Sequence, residues 1–273
     1  MKIIPYTSDR LQDIQNMIED PYVIENISDR LEEFSDCAML AAVENTIIGV
    51  AVYTGKEKIV SFSLYIAPSQ RRQGIGTKLL KALEDHMRES SVKEIYCDFK
   101  EDPGISTFME SNGYPLIFQS TLMALNQAPA SQPDERIRFF KEGDYDTVHD
   151  TLHRAFQKMR REVGIPLKES TKSIEEAEKY LKNKNSILVL EVDSAVKGCL
   201  FLDGNEIDKL AVAPEEEKKG YGKTLLSAGL EAVFKKHQEA TLWVVKGNPA
   251  EKLYANFGFQ KIRLHSFHKK IFQ

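Results

Sequence analysis

The hydrophobic pattern of the chain runs twice through the same series of elements. Residues 3–5 predict a short strand, and 9–18 carry Leu11, Ile14, Met17 and Ile18 at helical spacing. Residues 27–34 predict a further helix with Ser28 as its N-cap. Two stretches rich in β-branched residues, Ala38–Val43 and 47–53, flank Glu44-Asn45-Thr46 and predict a hairpin. Ile59–Ile66 is the next strand, and the helix after it places Gly76, Leu79, Leu80, Leu83 and Met87 on one face, a stripe fit to pack on a sheet. A strand over 94–99, a short helix over 105–110 and one or two strands over 114–125 close the series.

Between Asn126 and Asp134 the composition changes to two prolines and small or polar residues with no large apolar side chain, which reads as a linker. The order then restarts. Residues 137–140 predict a strand, and 145–156 a helix with Val148, Leu152 and Phe156 in register. A second helix follows over 174–181, then a hairpin of Ile187–Val192 and 196–202 across Asp193-Ser194. The strands 207–212 and Ala240–Val245 and a helix over 251–257 complete the copy. A period this long, far above the ~20–50 residues of solenoid repeats, means a duplicated domain. The reading is a domain over 1–127, a linker over 128–135 and a domain over 136–273.

Length agrees, since 273 residues suit two domains better than one at ~100–200 residues each. The formal charge of −4 argues against nucleic acid or an anionic membrane as the main partner. Cys37, Cys97 and Cys199 are scattered and odd in number, with no metal or disulfide spacing, and read as reduced structural residues of a cytoplasmic protein. The first residues lack the apolar run of a signal peptide, and no stretch of ~18 apolar residues predicts a membrane span.

The chemistry concentrates where the repeat is closest. Leu64-Tyr65-Ile66-Ala67-Pro68-Ser69-Gln70-Arg71-Arg72-Gln73-Gly74-Ile75-Gly76-Thr77 reads as a strand, a basic turn with two glycines and the opening of a helix. It returns as Leu210-Ala211-Val212-Ala213-Pro214-Glu215-Glu216-Glu217-Lys218-Lys219-Gly220-Tyr221-Gly222-Lys223-Thr224, its first glycine 146 residues after Gly74. Such a unit aims several backbone N–H groups at one point, where the helix dipole also favours negative charge. Glycine lets the backbone approach a bulky anion, so the local chemistry is pyrophosphate cradling. A nucleotide P-loop would need glycine at 217, which is Glu, and a dinucleotide fingerprint would need one at 79 and 225, which are Leu.

On these residues each half resembles the GNAT superfamily of acyl-CoA N-acyltransferases. The family motif Arg/Gln-x-x-Gly-x-Gly/Ala is matched by Arg71-Arg72-Gln73-Gly74-Ile75-Gly76; Glu217-Lys218-Lys219-Gly220-Tyr221-Gly222 departs at its first position. A second motif, Asn followed by Leu-Tyr-x-x-x-Gly-Phe, is matched by Asn248 and Leu253-Tyr254-Ala255-Asn256-Phe257-Gly258-Phe259, whereas the first half has Met109 in place of the tyrosine. The resemblance implies an α/β (α+β) fold of two tandem domains, each a mixed, mostly antiparallel twisted sheet flanked by helices. It implies acetyl-CoA as cofactor and transfer of its acetyl group to a primary amine of a small molecule or peptide, in a monomer or homodimer. The uneven halves are similar to the arrangement in mycothiol synthase.

The resemblance also assigns roles. The loops 71–77 and 218–224 hold the diphosphate, and the strand ends Leu64 to Ile66 and Leu210 to Val212 splay from their neighbours to receive the pantetheine and the oxyanion. Asn248 bonds the pantetheine amides or serves only as a turn residue before Pro249. Tyr254 protonates the leaving thiolate or is a core aromatic. Glu206, fourteen residues before Gly220, or Asp208 on the same strand face, takes the ammonium proton or is a solvated strand end. Val60, Ser61 and Ser63 stand there in the first half, which lacks both acid and base. It is expected to bind acetyl-CoA without turnover; the competing expectation is a chain that binds acyl-CoA and catalyses nothing. His149 and His153 have metal-capable spacing but no third ligand, and Trp243 reads as core.

Overall fold

The computed structural model describes residues 1–55, 57–129 and 134–272. The chain forms two compact units, Met1–Leu116 joined by Phe267–Gln273, and Ile117–Ser266. Twelve strands and eight α-helices are found among the described residues.

The first unit contains β1 (Lys2–Pro5), α1 (Leu11–Met17), α2 (Pro21–Glu33), β2 (Ala38–Val43), β3 (Thr46–Tyr53), β4 (Ile59–Ile66), α3 (Ile75–Arg88), β5 (Glu94–Lys100) and α4 (Pro103–Ser111). β1 to β4 pair antiparallel in chain order, and β4 pairs parallel with β5. The second contains β6 (Leu116–Leu125) from Ile117 on, β7 (Ile137–Phe139), α5 (Tyr145–Val163), α6 (Ile174–Lys182), β8 (Ile187–Val192), β9 (Ala195–Asp203), β10 (Glu206–Val212), α7 (Tyr221–Phe234), β11 (Ala240–Val245) and α8 (Ala250–Asn256). Here β7 to β10 pair antiparallel in chain order, β10 pairs parallel with β11, and β11 pairs antiparallel with β6. The last strand, β12 (Gln260–Ile271), begins in the second unit and ends beside β5 in the first.

Each sheet has an apolar layer on both faces. In the first unit, Leu79, Leu80, Leu83 and Met87 of α3 cover one face, while Ile14, Ile27 and Leu31 of α1 and α2 cover the other. In the second, Leu225, Leu226, Leu230 and Val233 of α7 take the first role, and Val148 and Leu152 of α5 the second. The predicted stripe on α3 is therefore buried as periodicity requires.

Three details differ from the sequence reading. Helix α2 starts earlier, capped by the Asp20 carboxylate accepting from the Tyr22 N–H with Pro21 in the first turn, and Ser28 lies mid-helix. Helix α5 runs on to Val163 and stops at Gly164 in the left-handed region (φ 73°). Strand β12 was not foreseen, because its Ile262, Leu264 and Phe267 are spread among six basic or histidine residues that mask the alternation. The tight hairpin at Asp193-Ser194 does form, with φ of 51° and 59° at its two central residues.

Candidate active site

Both glycine turns adopt one backbone conformation. Arg72 and Lys218 have φ of 61° and 64°, and Gly74 and Gly220 have φ of 75° and 85°. Left-handed residues at these two places bend the chain so that α3 and α7 start with their N–H groups aimed into the turn. The first backbone bonds of the helices are Lys78 N–H to Gly74 O and Thr224 N–H to Gly220 O, which leaves the preceding N–H groups at Ile75 to Thr77 and Tyr221 to Lys223 outside the helical ladder. A Cβ added to Gly74 or Gly220 would meet nothing within 4 Å, so the space in front of each turn is open. The second glycines are packed instead: a Cβ on Gly76 would lie 3.4 Å from the Phe108 ring of α4, and one on Gly222 3.6 Å from Leu253 of α8. Phe108 and Leu253 thus occupy like positions, as do their successors Met109 and Tyr254.

Immediately before each turn the sheet opens. Strand β4 pairs with β5 only through Ser61, and β10 pairs with β11 only at Glu206. Leu64 and Ile66, like Leu210 and Val212, therefore keep their ladder to β3 or β9 on one side and lack a partner strand register on the other. Each unit so presents a wedge with the glycine turn at its mouth and, at its apex, Ser61 in one unit and Glu206 in the other.

The two apices differ chemically. Half-buried Glu206 has its carboxyl pushed up, first by burial and then by the like charges of Asp208 and Asp203. Asp208 sits in a bulge of β10, between Ile207 paired with Leu202 and Lys209 paired with Phe201. Its carboxylate is 2.6 Å from the Lys209 ammonium, which lies over the Phe201 ring. In the first unit the Arg30 guanidinium donates to the Ser61 hydroxyl at 3.0 Å, and the Ser63 hydroxyl donates to Asn26 at 2.8 Å. Helix α2 thus closes with its own side chains over the place that Glu206 leaves polar in the second unit.

Tyr254 is buried, with its ring edge against Phe259. Burial alone pushes its phenol up to about 12, and no hydrogen bond to another described residue engages its hydroxyl. Asn248 accepts from the Ala250 N–H at 2.9 Å, so its side-chain oxygen opens α8.

The first motif positions also diverge. Arg71 turns back on its own strand, donating Nε–H to Ile66 O at 2.9 Å with its guanidinium over the Tyr65 ring. Arg72 lies beside Gly104 and Asp102 at the start of α4, and Gln73 donates to Ser69 O. In the second unit Glu217 pairs with Lys158 of α5, Glu215 with Arg154, and Glu216 with Lys197 and Lys219. Lys223 is exposed, Thr224 is half-buried, and Tyr221 lies under the Arg136 guanidinium. Lys209, Lys158 and Arg154 were not singled out in the sequence. Lys209 left a signal, a lone cation inside an apolar strand; the other two gain meaning only from partners about sixty residues away.

His149 and His153 stack on one another, and His149 Nε2 lies 3.1 Å from the Ser170 hydroxyl. No cluster of three or more metal-ligating side chains exists among the described residues. All three cysteines are buried and unbridged, Trp243 packs half-buried against His265, and no described helix is long and apolar enough to cross a membrane.

Comparison with known proteins finds one family match in each half of the chain. Residues 7–113 match the acetyltransferase (GNAT) family, and residues 187–268 match the FR47-like protein family. Among solved structures, a GCN5-related N-acetyltransferase from Sphaerobacter thermophilus superposes with a TM-score of 0.71 at 18% identity, over 99% of this chain and 95% of that one. A tandem GNAT protein from the clavulanic acid biosynthesis pathway gives 0.61 at 14% identity, over 99% and 98%. A GNAT-family acetyltransferase from Colwellia psychrerythraea gives 0.53 at 13%, over 99% and 100%. These likenesses concern the fold. The sequence matches none of the curated proteins compared with it.

Proposed function

The chain belongs to the GNAT superfamily of acyl-CoA-dependent acetyltransferases, as a tandem member, and from that premise we propose that its second unit transfers an acetyl group from acetyl-CoA to a primary amine of a small molecule or peptide. One observation carries the reading: β10 and β11 part at Glu206, so that an ionisable carboxyl stands at the apex of a wedge whose mouth is an anion-cradling turn.

In this reading the N–H groups at the start of α7 hold the diphosphate, and the open edge of β10 at Leu210 and Val212 receives the pantetheine as an extra strand would be received. Glu206, directly or through a water, takes a proton from the acceptor ammonium. The neutral amine attacks the thioester carbonyl, and a β10 N–H donates to the oxyanion. As the carbon–sulfur bond breaks, Tyr254 gives its proton to the thiolate, and the acylated nitrogen loses its second proton, which restores the phenol directly or through water; a phenol kept neutral by burial and not engaged by a described protein acceptor suits that step. Asp208 is paired with Lys209, which leaves Glu206 the better base.

The first unit has the same turn and wedge but Ser61 bound by Arg30 at the apex and Met109 at the acid's position. We assign it cofactor binding without turnover. The test is release of free thiol from acetyl-CoA across a panel of amines, beside calorimetric titration of the cofactor. Release that Glu206→Gln abolishes supports the proposal. Binding without release for every amine would make the chain a CoA-binding module instead.

A further inference from the structure

The two cradling turns carry very different charge, and the difference is made up from outside the second turn. The window 68–78 holds Arg71, Arg72 and Lys78 and no carboxylate. The matching window 214–224 holds Glu215, Glu216 and Glu217 against Lys218, Lys219 and Lys223, and is formally neutral. A neutral turn with three carboxylates is a poor place for a diphosphate, since like charges a few ångströms apart repel strongly outside bulk water.

Each of those carboxylates meets a cation from another element. Arg154 Nη1 donates to Glu215 at 3.1 Å, Lys158 of the same helix pairs with Glu217, and Lys197 of β9 lies 3.0 Å from Glu216. Arg154 and Lys158 are four apart on α5, one turn, and so reach alternate residues of the turn from a single helix face. With these three cations counted, the second cradle has the same formal excess of three positive charges as the first.

We propose that Lys158, with Arg154 and Lys197, is a positioning residue of the second cofactor site. It draws the Glu217 carboxylate onto α5, away from the bound phosphates, and restores the positive potential that the departure from the family motif removed. The inference rests on the reading of that turn as a cofactor site. It gives the glutamate a place on the helix rather than among the phosphates.

The test uses the full chain carrying Gly74→Val, which silences the first cradle, with equilibrium binding of acetyl-CoA at low and high salt. In that background Lys158→Glu is expected to weaken binding about tenfold at low salt, with a smaller loss at high salt. The exchanged pair Lys158→Glu with Glu217→Lys is expected to return affinity to within about twofold, at an unchanged thermal midpoint. A Lys158→Glu chain that binds as tightly as its parent, or an exchanged pair that stays as weak as Lys158→Glu, overturns the inference while leaving the site standing. Absence of binding in the Gly74→Val parent overturns the reading of the turn itself, and the inference with it.

Discussion

At the scale of single residues, Glu206 makes the most testable claim. A carboxylate works as a base only when ionised, and burial with Asp208 and Asp203 nearby favours its neutral form. The acid limb of kcat/KM should therefore lie above the ordinary carboxylate range and vanish in Glu206→Gln. Asp208→Asn removes one like charge and should move the limb toward lower pH, which a pH–rate profile reads directly. The sign for stability is opposite. A carboxyl raised in the fold binds its proton more tightly there than in the unfolded chain, so it costs stability once pH rises above its unfolded value. Glu206→Gln should raise the thermal midpoint at neutral pH and leave it unchanged in acid. Tyr254→Phe should lower kcat by about 10²-fold or more while leaving acetyl-CoA affinity within twofold, as loss of a general acid does. These two residues were legible in the sequence through motif and spacing. The bulge at Asp208 and its pairing with Lys209 were not, because alternation along a strand carries no mark of an inserted residue.

At the scale of elements, the strand–turn–helix units were legible because glycine at a left-handed position, an apolar strand before it and an amphipathic helix after it all point the same way. Gly220 at φ 85° stands in open space, so Gly220→Ala meets no clash but takes up a conformation that costs an L-residue about 1–2 kcal/mol. Gly220→Ala should therefore lower the midpoint slightly and weaken cofactor binding markedly, measured by thermal melting and titration. Strand ends were legible to within a residue or two where β-branched runs met turn residues. The start of α2 was not: Val23 and Ile24, which pack partly buried beside Ile27 and Leu31, extend the apolar stripe back to the first turn, behind the Asp20-Pro21 pair that opens it.

At the scale of the whole molecule, the duplication was legible from the repeat alone, but the route by which the chain completes its first unit was not. The buried carboxylate of Glu84 accepts from the Tyr114 hydroxyl at 2.9 Å and from the Lys270 ammonium at 2.8 Å, with Arg88 at 3.3 Å. His268 reaches the Tyr114 carbonyl at 2.8 Å, and Lys269 pairs with Glu94 at 2.6 Å. The second unit has Leu230 where the first has Glu84, counted from the two cradles, and Phe259 where it has Tyr114, counted from Gly258 and Gly113, so this polar knot is peculiar to one copy. Lys270→Ala leaves a buried carboxylate short of a charged donor and should cost the first unit about 1–3 kcal/mol in denaturant melts. Acetyl-CoA affinity of the second unit should not change. Nothing in local pattern announces such a knot, because its members lie up to 186 positions apart.

The placement of Lys269 and Lys270 bears on the order in which the protein is made. A ribosome delivers the chain from its amino end, and upstream domains ordinarily fold while downstream ones are still being translated. Here the leading lobe must wait for its last strand until all of the trailing lobe has been synthesised, so the nascent chain carries an unfilled sheet edge for most of its emergence, a vacancy that chaperones or a neighbouring copy on the same messenger would find.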